Sequence, residues 1–378
     1  MMSARFLTVV LERAFNMRDG FGREIDYMRI SVIDSCNLNC YYCNPCDNNE
    51  HCHALNILSV KEVLCIVRAA TRLGIKHFRL TGGEPLLHPQ LDEMVLQIKK
   101  IPGVSSVSLT TNAVLLVQHA KWLKEAGIDS VNVSLDTIDA SEYERITKKP
   151  LLEEVKHGIN AAIECGIRVK INVVLTPQTD VVALTRYVAK KGTDIRFIEM
   201  MPVGEGHTNG VEPYKKVIGT LSKLYGEPCR INTEKTKEIN SGNDKRKIPD
   251  NGPAEYYIFP ELGIRVGLIQ AIHGKFCDTC NRIRVTADGR LMPCLGSSVT
   301  MDLVPDSWDF ADDVEKDFAI VRALRAAIKA KPRCHNFNDN AVTYTKTTET
   351  KTTEIEAAEV NACLLYTSPS PRDAHESR

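Results

Sequence analysis

The strongest constraint on the fold is an alternation of strand-like and helix-like segments between residues 27 and 200. Six apolar runs rich in β-branched residues form the strand-like segments, at 28–33, 77–80, 104–109, 130–135, 168–175 and 194–198. Such units predict a parallel sheet with helices packed outside it. Because about 200 residues are too few for eight units, we predict an α/β fold built on a partial (β/α)6 barrel of the TIM type.

The remaining chain is organised around this barrel. Residues 59–73 are the clearest helix prediction, since Ser59 is a suitable N-cap, Glu62 completes a capping box and Gly74 can end the helix. We predict a loop at 234–253 and another helix near 314–329. The predicted parts are a barrel with an N-terminal extension (1–230), a smaller C-terminal α+β domain (231–338) and a tail (339–378).

The tail differs in composition from the rest. A Thr-, Lys- and Glu-rich tract at 343–353 has no periodicity, which is typical of disorder. The stretch 363–373 resembles a translated adapter sequence from library preparation, so the tail is expected to be disordered or artefactual.

Charge and hydropathy exclude several classes of partner. The 378 residues carry 48 basic and 48 acidic side chains, so no global field would attract nucleic acid or a membrane surface. No apolar run approaches the roughly 18 residues of a membrane-spanning helix. The first residues lack the apolar centre and cleavage site of a signal peptide. We predict a cytoplasmic protein with no nucleic-acid or membrane partner.

The chain has thirteen cysteines, and in a reducing compartment spaced cysteines indicate metal binding or catalysis. The first group, Cys36, Cys40 and Cys43, follows the first predicted strand. Three thiolates can hold three irons of a [4Fe–4S] cube and leave the fourth iron open to a small ligand. Tyr42 adds an aromatic wall beside this loop.

Nearby residues allow another interpretation of the loop. Cys40, Cys43 and Cys46 have the spacing of a ferredoxin, and Cys52, His51 and His53 lie close by. We favour bystander roles for these extra groups, because a cube held by four cysteines would leave no iron open.

A glycine-rich motif follows the second predicted strand. Gly82 and Gly83 allow close approach of backbone to a ligand, and Glu84 can accept a hydrogen bond from an ammonium group. Thr111 and Asn112 follow the third strand and Asp136 follows the fourth. Since the carboxyl ends of parallel strands share one edge of a sheet, we expect these groups to lie near the first cysteines.

The second cysteine group comprises Cys277, Cys280 and Cys294, on either side of a predicted hairpin that turns at 287–289. Arg282 and Arg284 alternate by two, so a strand would direct both to one side, where they favour an anionic ligand. A structural zinc site is the alternative; His273 could supply its fourth ligand, whereas Cys229 is distant in sequence.

Residues 276–289 are similar to the C-terminal motif of the GTP 3′,8-cyclases, the protein A family of molybdenum cofactor biosynthesis within the radical S-adenosylmethionine (SAM) superfamily. Segments 22–23, 27–32, 196–204 and 331–337 fit the same family. The resemblance runs in order from about residue 20 to residue 337.

The resemblance implies two [4Fe–4S] clusters that face each other across the barrel channel, the second in the C-terminal domain. The first would cleave SAM to a 5′-deoxyadenosyl radical, and the second would bind the guanine of GTP. Removal of the ribose 3′ hydrogen and attack on guanine C8 would give 3′,8-cyclo-7,8-dihydro-GTP. A homodimer, an external one-electron reductant and a downstream pyranopterin monophosphate synthase are also implied.

The family motifs assign roles residue by residue. The two cysteine trios would be the cluster ligands. SAM would be bound by Tyr42, Gly82, Gly83, Glu84, Thr111, Asn112, Ser134 and Met200. GTP would be bound by Arg29, Arg79, Lys170, Arg196, Arg282 and Arg284, and the last two would also be catalytic, near the second cluster.

The chain departs from the family pattern at several positions. Ser35 stands in place of an Arg, Ala113 in place of a Gly, and His77 at a commonly basic position. The family's C-terminal Gly-Gly tail is missing from the sequence, so we expect this polypeptide to be impaired in cyclisation even if SAM cleavage survives.

Three other functions are compatible with parts of the pattern. A radical SAM enzyme with two clusters could act on a peptide, although the basic strand positions favour a nucleotide. A ferredoxin-type electron carrier would need neither the glycine motif nor a barrel. A zinc-stabilised binding module would contain zinc and no iron.

Overall fold

A computed structural model describes residues 17–43, 56–203, 210–231, 252–297, 299–303, 313–335, 337 and 345–346. The predicted loop at 234–253, apart from its last two residues, lies outside these ranges, as do Cys46, Cys52, His51 and His53. All of the tail except 345–346 also lies outside them.

The described strands form one continuous sheet of thirteen strands. They are β1 Tyr27–Ser31, β2 His77–Thr81, β3 Ser106–Thr111, β4 Ser130–Ser134, β5 Val169–Val174, β6 Asp194–Ile198, β7 Cys229–Ile231, β8 Glu255–Phe259, β9 Ile264–Ile269, β10 Arg282–Val285, β11 Arg290–Met292, β12 Val299–Asp302 and β13 Thr345–Lys346.

The described α-helices cover the outside of the barrel. They are α1 Val60–Arg72, α2 Leu91–Lys99, α3 Leu116–Glu125, α4 Ala140–Thr147, α5 Leu152–Glu164, α6 Val181–Lys190, α7 Gly219–Tyr225 and α8 Asp313–Lys329. Short helical turns occur at Pro85–Leu87, Tyr214–Ile218 and Cys277–Thr279.

Strands β1 to β6 are parallel and lie side by side in chain order, which confirms the predicted partial barrel. Alternate residues of these strands have opposite character. One set, including Met28, Ile30, Phe78 and Leu80, is apolar and belongs to the main hydrophobic core. The other set is polar or charged and faces the inside of the barrel, because successive side chains of a strand point to opposite faces.

Helix α1 shows how local sequence sets the helix ends. The backbone N–H of Glu62 donates to the Ser59 hydroxyl, and the Glu62 carboxylate accepts from the Ser59 backbone N–H, so the predicted capping box is present. Gly74 follows with a φ of 88°, the left-handed conformation that ends helices. The predicted helix near 314–329 is α8, which packs against α1 and adds Ile320 and Leu324 to the main core.

The C-terminal region continues the barrel sheet at both edges. Strands β10 to β13 extend it beyond β1, and β9, β8 and β7 extend it beyond β6. The predicted boundary at residue 230 falls within β7, which pairs with β8. Within the tract 343–353, for which disorder is predicted, the described residues Thr345–Lys346 pair with β12 as a short parallel strand.

Among the described residues, no helix combines the length and the apolar composition that crossing a membrane would require.

Candidate functional site

The first cysteine group lines a pocket beyond the carboxyl ends of β1 to β4. The space is about 340 Å³, and its walls come from the β1, β2 and β3 loops and the end of β4. The lining residues are Cys36, Leu38, Cys40, Cys43, Gly83, Glu84, Thr110, Thr111, Asn112 and Ser134. The cysteines and five of the predicted SAM residues are therefore brought together, as their positions after successive strands predicted.

The loop that carries the cysteines is fixed at both sides. At its base, Asp34 accepts hydrogen bonds from the backbone and side-chain amides of Asn56, at 3.0 and 2.8 Å. Further along, the backbone N–H groups of Asn39 and Tyr41 donate to carbonyls in the last turn of α4, each at 3.0 Å. These bonds satisfy carbonyls at the helix end and hold the three thiols in one place.

Gly82 and Gly83 have a steric role that the sequence did not reveal. A Cβ on Gly82 would lie 2.3 Å from the Ile33 carbonyl oxygen, and one on Gly83 would lie 2.3 Å from that of Ser35. The backbone N–H groups of Gly83 and Glu84 donate to these two carbonyls, both at 2.8 Å. The glycines thus allow the β2 loop to lie directly against the base of the cysteine loop.

Glu84 joins three segments of the first pocket. Its side chain is 1% exposed, and its carboxylate accepts from the Thr111 hydroxyl at 2.6 Å and from the Asn112 backbone N–H at 2.7 Å. The Leu86 backbone N–H also donates to it. The Asn112 side-chain amide in turn donates to the Asn37 side chain at 2.7 Å and lies 3.9 Å from the Cys36 Sγ.

Tyr42 and Met200 lie behind the pocket in a small apolar cluster with Leu38 and Val174. The Tyr42 hydroxyl donates to the Asp136 carboxylate at 2.5 Å, and the other oxygen of Asp136 accepts from the Val174 backbone N–H. Tyr42 therefore anchors the cysteine loop to the carboxyl end of β4. Asp136 completes this anchor. Its position after a strand predicted that it would lie near the first cysteines, but the sequence did not identify Tyr42 as its partner.

Two departures from the family pattern have a clear structural result. Ala113 has a φ of 65°, so the loop keeps the left-handed conformation that a glycine would adopt more easily. The imidazole of His77 contacts the Ser106 hydroxyl at 2.8 Å, and burial lowers its pKa below the usual value. His77 is therefore neutral near pH 7 and supplies no positive charge there.

The second cysteine group lines a separate pocket of about 210 Å³. The predicted hairpin is present as β10 and β11, and Cys277 and Cys280 precede it while Cys294 follows it. The lining residues are Arg23, Phe276, Cys277, Cys280, Cys294, Lys331, Pro332, Arg333, Cys334 and His335. A fourth cysteine, Cys334, thus reaches this pocket although its spacing gave no indication of it.

Two buried cations hold the 331–335 segment against this pocket. The Arg23 guanidinium donates to the backbone carbonyls of Cys277 and Pro332, at 2.7 and 2.6 Å, and pairs with the Asp19 carboxylate. The Lys331 ammonium donates to the carbonyls of Arg282 and Pro293, both at 2.8 Å. Burial lowers the pKa of Lys331, and the neighbouring Cys280 thiol opposes that change.

The two pockets lie at opposite edges of the same strands. The first cysteines follow β1, at its carboxyl end. Strand β10 is parallel to β1 and follows Cys280, while Cys294 comes after the antiparallel β11, so the second group lies at the amino-terminal edge. A five-residue strand at ~3.3 Å per residue puts about 13 Å between the edges.

Six buried cations occupy inward-facing positions on the strands between the pockets. They are Arg29, Arg79, Lys170, Arg196, Arg282 and Arg284, the residues predicted to bind substrate. The strand register makes three of these cations neighbours, because Arg29 on β1 pairs with Arg79 on β2 and with Arg284 on β10. The Tyr27 ring lies between the guanidiniums of Arg79 and Arg282, with centroid distances of 5.6 and 5.7 Å.

Arg196 is held by two asparagines that sequence reasoning missed. Its Nε donates to the Asn172 side-chain oxygen at 2.9 Å, and an Nη donates to the Asn132 side-chain oxygen at 2.7 Å. Both asparagines are fully buried at inward positions of β4 and β5. A polar residue inside an otherwise apolar strand is the signal that would have identified them.

Neither residue considered as a fourth zinc ligand lines the second pocket. His273 pairs with Glu199 beyond the carboxyl ends of β6 and β9 and is not among the residues that line the second pocket. Cys229 lies on β7, far along the sheet. Within the described ranges, no three His, Cys, Asp or Glu side chains converge on a position for a single metal ion.

Comparison with known proteins identifies the family of this chain. Residues 30–183 match the radical SAM superfamily, and residues 193–337 match the molybdenum cofactor synthesis C domain. A protein of Clostridium perfringens (strain SM101 / Type A) named GTP 3′,8-cyclase is 36% identical over 324 residues, which are 85% of this chain and 95% of that protein. A second protein of that name, from Pelotomaculum thermopropionicum, is 37% identical over 327 residues, again 85% and 95% of the two chains.

The chain belongs to the GTP 3′,8-cyclase family. The first family match ends within α6 and the second begins just before β6, and each contains one cysteine trio. Membership of the radical SAM superfamily implies a [4Fe–4S] cluster and SAM, and the thiols, buried carboxylate and glycines of the first pocket fit both groups.

A solved structure shows the same fold. The Streptococcus suis protein SuiB gives a TM-score of 0.50 at 14% identity over 72% of this chain. The aligned part covers 60% of SuiB, so this chain spans about three fifths of that protein and the likeness concerns the barrel architecture alone.

Proposed function

We propose that this member of the GTP 3′,8-cyclase family converts GTP into 3′,8-cyclo-7,8-dihydro-GTP for molybdenum cofactor biosynthesis. One observation carries the proposal: two pockets, each lined by one of the two cysteine trios, lie at opposite edges of one set of strands, with six buried cations between them. The relatives named GTP 3′,8-cyclase support the choice of reaction.

In the first pocket, Cys36, Cys40 and Cys43 would hold a [4Fe–4S] cluster and leave one iron for SAM. A reduced cluster with SAM supplies a radical that abstracts hydrogen. The chain's own contribution is placement, since Glu84 fixes the β3 loop and the Gly83 backbone lines the cavity. Ser134 and Asn112 also line this cavity.

In the second pocket, Cys277, Cys280 and Cys294 would hold another [4Fe–4S] cluster and leave an iron for the purine. Arg282 and Arg284 lie on the strand that begins beside it. A triphosphate carries several negative charges, and arginine binds phosphate oxygens through paired hydrogen bonds. Arg29, Arg79, Lys170 and Arg196 provide that charge on the inner face of the barrel.

A peptide substrate would not explain this inner surface. Burying a cation costs free energy unless an anion or several acceptors compensate it. A ligand that carries several negative charges, such as a triphosphate, therefore stabilises these six buried cations better than a neutral peptide would. The proposed partners are GTP, an external one-electron reductant and a downstream pyranopterin monophosphate synthase, for a cytoplasmic homodimer.

The proposal is tested by anaerobic reconstitution of the full chain, followed by metal analysis and assay with SAM and GTP. About eight irons per chain are expected from two four-iron clusters, with 5′-deoxyadenosine and a GTP-derived cyclic product. Zinc without iron would contradict the proposal, as would SAM cleavage that depends on a peptide instead of GTP.

Arg196 offers a specific test of the phosphate assignment. Arg196→Gln removes a charge-assisted contact worth about 1.5–3 kcal/mol, so GTP affinity should fall roughly 10- to 100-fold. Equilibrium binding of GTP to the reconstituted protein measures the change. Arg186→Gln, on the exposed face of α6, is the control and should leave GTP affinity unchanged. Equal affinities for the Arg196 variant and the parent would contradict the assignment.

A further inference from the structure

We propose that Lys331 is a positioning residue for the second cluster, which it holds in place through backbone contacts and whose reduced form it stabilises by its positive charge. This inference rests on the proposed second cluster. The cysteine and arginine motifs assign no role to Lys331. It lies more than thirty residues after Cys294 in the chain.

The contacts of Lys331 join both halves of the cysteine site. Its ammonium donates to the Arg282 carbonyl, two residues after Cys280, and to the Pro293 carbonyl, immediately before Cys294. A third hydrogen bond goes to the Cys280 side chain. One side chain therefore fixes the backbone on either side of the hairpin and contacts a thiol that would bind iron.

The surroundings of Lys331 also require a negative partner. The side chain is 4% exposed, and the guanidiniums of Arg23 and Arg282 lie close enough to act on it. Arg23 has its own carboxylate, Asp19, whereas the Lys331 ammonium donates to two backbone carbonyls and lies beside the Cys280 thiol. A cube bound by three thiolates carries net negative charge, which would compensate this buried cation.

The expected consequence concerns reduction. Adding an electron makes the cluster more negative, so a fixed cation in contact with one of its sulfur ligands favours the reduced form. Hydrogen bonds to ligand sulfurs act in the same direction, and contacts of this kind outside the ligand set commonly tune metal centres. Loss of the Lys331 charge should therefore make the second cluster harder to reduce.

The test uses the full chain with Cys36, Cys40 and Cys43 replaced by alanine, so that only the second cluster is observed. Lys331→Gln keeps a hydrogen-bond donor but removes the charge, Lys331→Arg keeps both, and Lys329→Gln removes an exposed lysine two residues away. Iron content and a potentiometric titration followed by electron paramagnetic resonance (EPR) are measured for each.

We expect iron to be retained in all variants and the reduction potential to become more negative in Lys331→Gln alone. An unchanged potential with full iron content would overturn the inference and leave the proposed cluster intact. If Lys331→Gln loses its iron, retention of iron and potential by Lys331→Arg supports the role of charge, and loss in both overturns it. A parent protein without iron at this site would instead refute the second cluster itself.

Discussion

At the scale of single residues, Glu84 determines the geometry of the first pocket more than any cation does. Its carboxylate accepts from Thr111 and Asn112 on one loop and from Leu86 on another, all while buried. The sequence predicted its place in the pocket from the strand order. It did not predict these partners, because the hydrogen bonds join residues 27 and 28 positions apart.

Glu84→Gln should weaken SAM binding. In the variant, the side-chain NH₂ group would face one of the hydrogen-bond donors that the carboxylate now accepts from, so that hydrogen bond would be lost. Hydrogen bonds to charged groups are worth about 1.5–3 kcal/mol. We expect SAM affinity to fall roughly 10- to 100-fold in equilibrium binding to the reconstituted protein. Thr111→Val, which removes one donor only, should have a smaller effect. A Gln variant that binds SAM as tightly as the parent would contradict this role.

His88 predicts a pH dependence of stability. Its Nε2–H donates to the Leu58 carbonyl at 2.9 Å and its Nδ1 accepts from the Gln90 backbone N–H, so the imidazole is neutral, and burial lowers its pKa. The unfolded chain, with the ordinary pKa near 6.5, binds a proton first as the pH falls. The stability contributed by neutral His88 is therefore present above pH ~6.5 and lost below it, down to the lowered pKa of the folded state.

The measurement is the thermal unfolding midpoint at pH 7 and pH 5 under anaerobic conditions, for the parent and for His88→Gln. Glutamine keeps a donor near the Leu58 carbonyl and does not titrate. The decrease in midpoint between the two pH values should be smaller in the variant. Equal decreases in both proteins would show that His88 does not contribute.

Asn132, Asn172 and Lys331 show where residue-level prediction ends. The two asparagines are polar side chains inside apolar strands, which are costly to bury without partners, whereas Lys331 follows a helix and has no such signal. Their partners follow from strand register and chain packing, and neither is encoded in spacing. Arg196 with its two asparagines is a contact across three strands, so it became visible only in the folded sheet.

At the scale of elements, the loops after β1 and β2 behave as one unit. Gly82 and Gly83 allow the β2 loop to contact the carbonyls of Ile33 and Ser35. The sequence motif predicted a close approach but assigned it to a ligand, because the steric demand of the neighbouring loop does not appear in the motif itself.

Gly83→Ala should separate these two loops. An added Cβ 2.3 Å from the Ser35 oxygen forces backbone movement, and overpacking of this kind costs about 1–3 kcal/mol. Iron at the first site should fall while iron at the second is retained, as metal analysis and EPR can measure. Gly219→Ala is the matched control, because no atom lies within 4 Å of its added Cβ. Full iron content in Gly83→Ala would contradict the account.

The helices and strands themselves were largely predictable. Periodicity identified β1 to β6 and α8, and the capping box identified the start of α1. Residues 339–378 were the weakest case, since a polar tract without periodicity gives no indication of the strand pairing found at Thr345–Lys346.

At the scale of the whole molecule, one sheet links two pockets at opposite edges. The sequence predicted a smaller C-terminal domain, but it did not predict that β10 would pair with β1 or that β9 would pair with β6. Both pairings join residues far apart in sequence, and the pairing of β10 with β1 places Arg282 and Arg284 on the barrel's inner face. Loop motifs alone could not give that arrangement.

The separation predicts that the two clusters assemble independently. Replacing Cys277, Cys280 and Cys294 by serine should halve the iron content and leave SAM binding intact, because about 13 Å of strand separates the edges. Replacing Cys36, Cys40 and Cys43 should abolish SAM binding and leave the second cluster. Metal analysis and SAM titration of both variants check this, and loss of all iron in either one would show that the sites depend on each other.

The central claim is that each cluster keeps one iron open, for SAM at the first site and for the purine at the second. The most direct test is electron–nuclear double resonance of the reduced, reconstituted full chain with nitrogen-labelled SAM and, separately, nitrogen-labelled GTP. We expect a nitrogen coupling from SAM at the first cluster and one from the purine at the second. Clusters that show neither coupling because a side chain such as Cys334 occupies the fourth iron would contradict it.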